Sequence, residues 1–418
     1  MSPKLVRARK FLDDLATICP LLDDFLMPNQ AVSRFINVVN ANILISAMAC
    51  CLVAFARANY CRVAPQALLD GKYCTSGYSD IQELFVSRNF NLQDFPYSSS
   101  TNSLEYPPII GIGNWLISYL VPSANAQFWF YLINVLITSL LFIQLTKIIK
   151  TAQPNYMYLL ILSPAIICTL FINWDLWVIV PAVFAVICFE RKHFALSAIW
   201  LGVSISVKLF PIAFLLPFLL ILYQNKNYKV FIKYSAFTMS TWLILNVPVM
   251  LVNFQGWSRF LTLNSERGSD LGSVYFALKL IGIDVPYLNL VSASVGGSLF
   301  IVLAFYVKKN FENVKLSTFV FLSVVIFTTT SKVYSPQFVI WLVPLAILSI
   351  SSQKDLKSFW IWQVSELLHF TALVTYFEYG VDSPGGFFAI AYCFAILFRV
   401  FAISCFAHCL VQKSRLKS

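Results

Sequence analysis

The sequence predicts an all-α polytopic membrane protein of about a dozen transmembrane helices. Three observations predict it. Of 418 residues, 59% are hydrophobic and only 12% are charged, where a soluble domain carries about 25% charged residues. Apolar runs approach the ~20 residues that span a bilayer core, notably 128–146 and 230–252, the second interrupted only by Lys233 near its start. The basic residues fall in small clusters between such runs: Lys147 and Lys150, Arg191 and Lys192, Lys226 and Lys229, Lys308 and Lys309, Lys354 and Lys357, then Lys413, Arg415 and Lys417. That is the positive-inside pattern. The net charge of +11 is therefore a topology signal, and nucleic acid is excluded as a partner class.

The elements follow in order, with the basic clusters set on the cytoplasmic side. Residues 1–37 carry Lys4, Arg7, Arg9, Lys10 and Arg34, and Asp13, Asp14, Asp23 and Asp24 interrupt their apolar content. This reads as a cytoplasmic, partly amphipathic segment rather than a cleavable signal. A single membrane domain, 38–411, comes next. Span 38–56 exits into a first outer segment, 57–106, and 128–146 returns. Spans 157–172 and 176–189 form one out-and-back pair, 194–207 and 211–223 another. Span 230–252 exits into a second outer segment, 253–289, and 290–307 returns. Spans 316–330, 338–350, 359–376 and 387–410 complete about twelve crossings, leaving 412–418 as a cytoplasmic tail.

Segment 107–121 does not fit this order. If it crossed, every later basic cluster would face outward, so it is expected to be a re-entrant or interfacial helix, the alternative being an extra crossing with a different N-terminal orientation. Spans 194–207, 211–223 and 338–350 are shorter than the ~20 residues of a full crossing. Polar groups below the membrane surface are tolerated only inside protein or beside a water-filled cavity. The outer ends of these spans are therefore expected to line a cavity open to the extracytoplasmic side.

Cys50, Cys51, Cys168, Cys188, Cys393, Cys405 and Cys409 lie in apolar segments and read as packing residues. Cys61 and Cys74 share the first outer segment, a placement compatible with a disulfide. No cysteine or histidine has the spacing of a zinc site.

Under this topology the chemically interesting residues converge on the outer side. Asp80, in Tyr78-Ser79-Asp80-Ile81, suits a general base for a hydroxyl group. Asp80-Ile81-Gln82-Glu83 also has the shape of a capping box, and the residues alone favour the cap. Glu105, before Pro107 and Pro108, is a helix-start signal. In Asn173-Trp174-Asp175, Asp175 can cap the next helix or face the cavity, and Trp174 suits the membrane interface. Lys208 lies deep in apolar sequence, where a cation costs about 2.5–3.5 kcal/mol and is a functional candidate by default; snorkelling is the plainer reading. Lys332 is placed alike, and Arg267 lies in the second outer segment. Lys and Arg suit phosphate, and at a membrane boundary the simplest phosphate is that of a lipid. His369 and Arg399 lie within spans and fit neither pattern.

Several stretches, in order, carry a family resemblance: Tyr78-Ser79-Asp80-Ile81, Glu105-Tyr106-Pro107, Asn173-Trp174-Asp175-Leu176, Lys208-Leu209-Phe210-Pro211, Asp270-Leu271-Gly272-Ser273 and Lys332-Val333-Tyr334-Ser335-Pro336-Gln337. Asp382-Ser383-Pro384 adds a further piece. The set resembles the actinobacterial membrane mannosyltransferases of glycosyltransferase family 87, in the type-C superfamily. The resemblance implies a GT-C fold in the plasma membrane. It implies transfer of mannose from polyprenyl-phosphate-mannose, with inversion, to a glycolipid or lipoglycan hydroxyl on the outer face, giving an α-mannoside. It makes Asp80 the catalytic base, overturning the cap preference. Lys208, Arg267 and Lys332 would bind the donor phosphate. Glu105, Tyr106, Asn173, Asp175, Tyr334 and Gln337 would position sugar or acceptor, with no metal or other cofactor. A retaining enzyme would need a second carboxylate ~5 Å from the first, and Glu105 and Asp175 are the available ones. The alternatives are an arabinofuranosyl donor and a lipid-linked sugar flippase. Transporters commonly carry internal repeats; this chain shows none, and its outer segments are unequal.

Overall fold

Apolar chain in lipid must satisfy its own backbone hydrogen bonds, which helices do internally. Accordingly the computed structural model, which describes residues 30–59, 77–381 and 385–415, contains helices and no strand among those residues. The Cys61–Cys74 pair, Asp382-Ser383-Pro384, residues 1–29 of the expected N-terminal segment and residues 416–418 of the expected tail lie outside the described residues.

The first helix, α1, runs Gln30–Ala58. Segment 57–106 holds α2, Asp80–Ser87. Segment 107–121 forms α3, Pro108–Ser118, with proline in its first turn; its 11 residues reach about half the depth of a bilayer core. Helix α4, Ala126–Ala152, follows. Span 157–172, expected as one helix, is instead two short ones, α5 (Tyr158–Leu162) and α6 (Pro164–Thr169). Pro164 lacks the N–H that would continue the helix, and the Ser163 hydroxyl caps the new start by accepting from Ile166 N at 3.2 Å.

Next come α7 (Asp175–Glu190) and α8 (Phe194–Val207). A 3-10 turn, Phe210–Phe214, leads into α9, Leu215–Gln224. Helix α10 is Tyr228–Val252. Segment 253–289 carries α11 (Phe254–Glu266) and α12 (Val274–Leu280). Then follow α13 (Leu288–Asn310) and α14 (Leu316–Thr330). A second 3-10 turn, Pro336–Phe338, precedes α15, Val339–Ser349. Helices α16 (Gln353–Tyr379) and α17 (Phe387–Arg415) close the chain.

Among the described residues, 4 helices are long and apolar enough to cross a membrane: α4, α10, α13 and the 387–412 part of α17. The centre of the fold is built from shorter helices. All of α15 is buried, as is most of α7 and α14. Helices α10 and α13 lie outside, with Ile244, Leu251, Ile301 and Phe305 exposed where a hydrocarbon environment favours them. Helices α16 and α17 pack along their length, Trp362 stacking on Phe406 at 5.8 Å. Cys50, Cys51, Cys168, Cys188 and Cys393 are buried, while Cys409 is half-buried and Cys405 exposed.

Segments 57–106 and 253–289 pack on each other. Asn253 donates to the Ser98 carbonyl at 3.0 Å. Gly256 comes so close to the Tyr97 carbonyl that a Cβ could not fit between them.

Candidate active site

Backbone pairing brings the first acidic residue to the hairpin between α6 and α7. Asp80 N donates to Ile172 O at 2.8 Å, and the Ser79 hydroxyl to Phe171 O at 2.8 Å. Asp80 is the first residue of α2, whose cap position is Ser79 and whose start has no side-chain cap bond. The capping reading of Asp80 therefore falls. Its carboxylate instead accepts from the Tyr78 hydroxyl at 2.6 Å, with longer contacts to the Tyr106 hydroxyl at 3.4 Å and Asn173 Nδ2 at 3.5 Å. Burial pushes the Asp80 carboxyl above its ordinary range, against the pull of the Tyr78 hydroxyl and the Lys208 charge.

Asp175 likewise opens α7 without capping it, the cap position being Trp174. Its side chain is fully buried. Oδ1 forms an ion pair with Lys208 and accepts from Trp341 Nε1 at 2.7 Å, while Oδ2 is buried with no hydrogen-bond partner. Asn173 orients the hairpin by accepting from Asp175 N at 3.1 Å. Trp174 is fully buried in protein and donates to Asn134 Oδ1 at 2.7 Å.

Lys208 follows α8 in extended backbone. It does not snorkel, because Asp175 holds it between the rings of Tyr106, at 5.1 Å, and Trp341, at 5.5 Å. Trp341 is itself stacked between Phe210 at 3.9 Å and Phe338 at 3.8 Å. Glu105 is gripped by the Arg88 fork at 2.7 and 3.3 Å, and Arg88 also donates to Asn102 Oδ1 at 3.1 Å.

These groups surround a cavity of about 1070 Å³. Asp80, Glu105, Tyr106, Asn173, Lys208, Arg267 and Gln337 all line it. Asp175 sits behind Lys208 rather than on the wall. Arg267 is part-exposed and pairs with Asp270 at 3.2 Å. Lys332 and Tyr334 do not line the cavity. The Lys332 ammonium is turned onto segment 253–289, donating to Ser265 O at 3.2 Å, Asn289 Oδ1 at 2.5 Å and the Arg267 carbonyl. Tyr334 is buried beneath the Arg399 guanidinium, 3.5 Å from its ring centroid. One flank of the cavity is apolar, formed by Phe260, Phe327, Phe370, Leu373 and Phe377.

Sequence reasoning missed Arg57, Arg88 and Trp341 as cavity residues. Arg57, at the end of α1 and 5.2 Å from the Phe370 ring centroid, looked like a loop charge. Trp341 lies in an unbroken apolar run that carries no polar signal. Among the described residues, no three His, Cys, Asp or Glu side chains gather as metal ligands would. The arrangement offers a carboxylate facing a cavity, cations on the same walls, and an apolar flank. That is equipment for moving a proton while negative charge builds on another group.

The sequence model of glycosyltransferase family 87 matches residues 104–329, just over half of the chain. The match takes in Glu105, Tyr106, Asn173, Asp175, Lys208 and Arg267, and leaves Asp80 and the 332–337 stretch outside. No curated protein matches the chain. Among solved structures, ArnT from Cupriavidus metallidurans bound to undecaprenyl phosphate is similar over 79% of this chain and 72% of that chain, at 12% identity and a TM-score of 0.39. A likeness at that level carries no argument about this chain.

Proposed function

The chain belongs to glycosyltransferase family 87, and from that premise we propose that it transfers mannose from polyprenyl-phosphate-mannose to a glycolipid or lipoglycan hydroxyl, with inversion, to form an α-mannoside. Membership in a glycosyltransferase family makes the protein an enzyme rather than a flippase. The observation that carries the proposal is the placement of Asp80 and Lys208 on one cavity, with Asp80 free of any capping role.

In the proposed step Asp80 accepts the proton of the acceptor hydroxyl. The acceptor oxygen forms its bond to the anomeric carbon as the bond from that carbon to the phosphate oxygen breaks. The electron pair leaves with the lipid phosphate, whose growing charge Lys208 and Arg267 stabilise from fixed positions. Asp175 and Trp341 hold Lys208 in place. Lys332 acts on the donor through Arg267, whose carbonyl it binds. Glu105, Tyr106, Asn173 and Gln337 contact sugar or acceptor, and Tyr334 supports the wall from behind. The apolar flank supports lipid-borne substrates. The proposed setting is a GT-C domain, 38–411, of about twelve crossings in the plasma membrane. Both termini are cytoplasmic, and the outer segments 57–106 and 253–289 roof the cavity on the extracytoplasmic side.

The test is transfer by purified protein in nanodiscs, using radiolabelled polyprenyl-phosphate-mannose and a mixed lipid acceptor extract. Asp80→Asn, checked for folding by size exclusion, is expected to lose about 10²–10⁴-fold in rate, the usual contribution of a general base. Full activity in that variant would remove Asp80 as base. Wild-type transfer from the arabinofuranosyl donor alone would sink the mannose reading and leave the mechanism standing.

A further inference from the structure

Away from the cavity, the fold holds a further ion pair, and this one is buried on both sides. Arg399 on α17 and Glu366 on α16 meet at 2.7 Å, with 0% and 2% side-chain exposure. Trp362 Nε1 donates to the other Glu366 oxygen at 2.8 Å. Removing two charges from water costs several kcal/mol per ion, and an apolar pair of similar volume commonly does as well for stability. Something other than cohesion is needed to account for the pair.

The remaining guanidinium nitrogens show where it acts. Nη1 donates to Tyr334 O at 2.7 Å and Nη2 to Ser335 O at 3.2 Å. These two carbonyls open the turn that carries Gln337 and Phe338 into the cavity wall, and Phe338 stacks on Trp341, which binds Asp175. The residues leading into that turn also hold the other wall. Asp270 N donates to Lys332 O at 2.8 Å, and Asp270 pairs with Arg267. Gly272, at φ +77, lies against Tyr334 O and Arg399 Nη1 with no room for a Cβ.

We propose that Arg399, fixed by Glu366, is a positioning residue: its fork on the Tyr334 and Ser335 carbonyls sets the distance between Arg267 on one cavity wall and the Trp341–Lys208 group on the other. It touches no substrate and acts through the backbone. The inference rests on the proposed transferase reading of the cavity.

The experiment compares wild type, Arg399→Lys and the double variant Glu366→Leu/Arg399→Met in nanodiscs. Melting temperature, kcat and KM for polyprenyl-phosphate-mannose, and hydrogen exchange of segment 331–341 are measured for each. Lysine keeps the ion pair and loses the planar fork. The double variant removes both charges together. Both are expected to melt near wild type and to exchange faster in 331–341. Both should lose about 10²-fold in kcat, the scale of a misplacement near 1 Å, with KM changing less. Wild-type kcat in either variant would overturn the inference. So would unchanged exchange in 331–341. If the double variant does not fold, Arg399→Lys decides alone. If wild type itself transfers nothing from a polyprenyl-phosphate donor, the transferase reading fails first, and the exchange data still report whether Arg399 holds the turn.

Discussion

The two oxygens of Asp80 keep different company: one takes a short bond from Tyr78, and the other has only the long contacts to Tyr106 and Asn173. The second oxygen is the one available to an acceptor proton. Because burial raises the Asp80 pKa, the acidic limb of the pH–rate profile is expected above the ordinary carboxylate value of about 3.9. The sign is fixed by the role: a base must be ionised, so the rate falls as pH drops through the raised pKa. Lys208 draws that pKa down. Lys208→Gln, which still offers Asp175 a donor, should therefore move the limb to higher pH; an unmoved or lowered limb would show that Lys208 does not face Asp80 electrostatically. Part of this was legible in the sequence. Asp80, Lys208 and Asn173 were all singled out, and all three line the cavity. The cap reading failed because Ser79 holds the cap position, and the partners that decide the matter lie 26 and 93 residues away. Lys208-Leu209-Phe210-Pro211 and Lys332-Val333-Tyr334-Ser335-Pro336 look alike locally, yet one lysine faces the cavity and the other is bound to loop carbonyls. Only tertiary packing separates them.

At the scale of elements, two helices coincide to the residue with the spans expected from sequence. The α8 run 194–207 stops where Lys208 begins, and the α14 run 316–330 stops at Ser331 and Lys332. A charge at the end of an apolar run is a local signal and survives folding. The breaks inside runs were not read. Ser163 and Pro164 divide 157–172, and the 3-10 turns Phe210–Phe214 and Pro336–Phe338 begin spans that were expected to be plain helix. Each involves a proline that hydropathy counts as one more weakly apolar residue. The loop before α12 depends on one glycine. Gly272→Ala puts a side chain into the left-handed region and against the Tyr334 carbonyl. The expected cost is about 1–3 kcal/mol, seen as a lower melting temperature with turnover reduced alongside. A variant with wild-type melting would mean the loop has room to yield.

For the whole molecule, charge placement suggested about twelve crossings, while length and composition alone support 4 helices among the described residues. Several of the other expected spans are short helices buried against neighbouring helices, as α8, α14 and α15 are. The orientation is open to direct test. Gly268 has open space at its Cβ position and Asn225 is exposed, at opposite ends of the proposed topology. A membrane-impermeant thiol reagent on intact cells should label Gly268→Cys above the wild-type background, and Asn225→Cys only after permeabilisation. The reverse pattern would invert the topology and put the cavity on the cytoplasmic side.

Helix α15 is buried along its whole length, so its apolar sequence answers to neighbouring side chains and not to lipid. Over generations this divides the chain into two kinds of hydrophobic sequence. On α13, outward residues such as Ile301 and Phe305 are free to drift among apolar types, since a fluid bilayer conforms to any of them. On α15, a change of volume at Leu342 or Leu345 calls for a matching change on the helices packed against it, α7 and α14 among them, and so one of the most apolar segments of the chain must vary in concert with the rest.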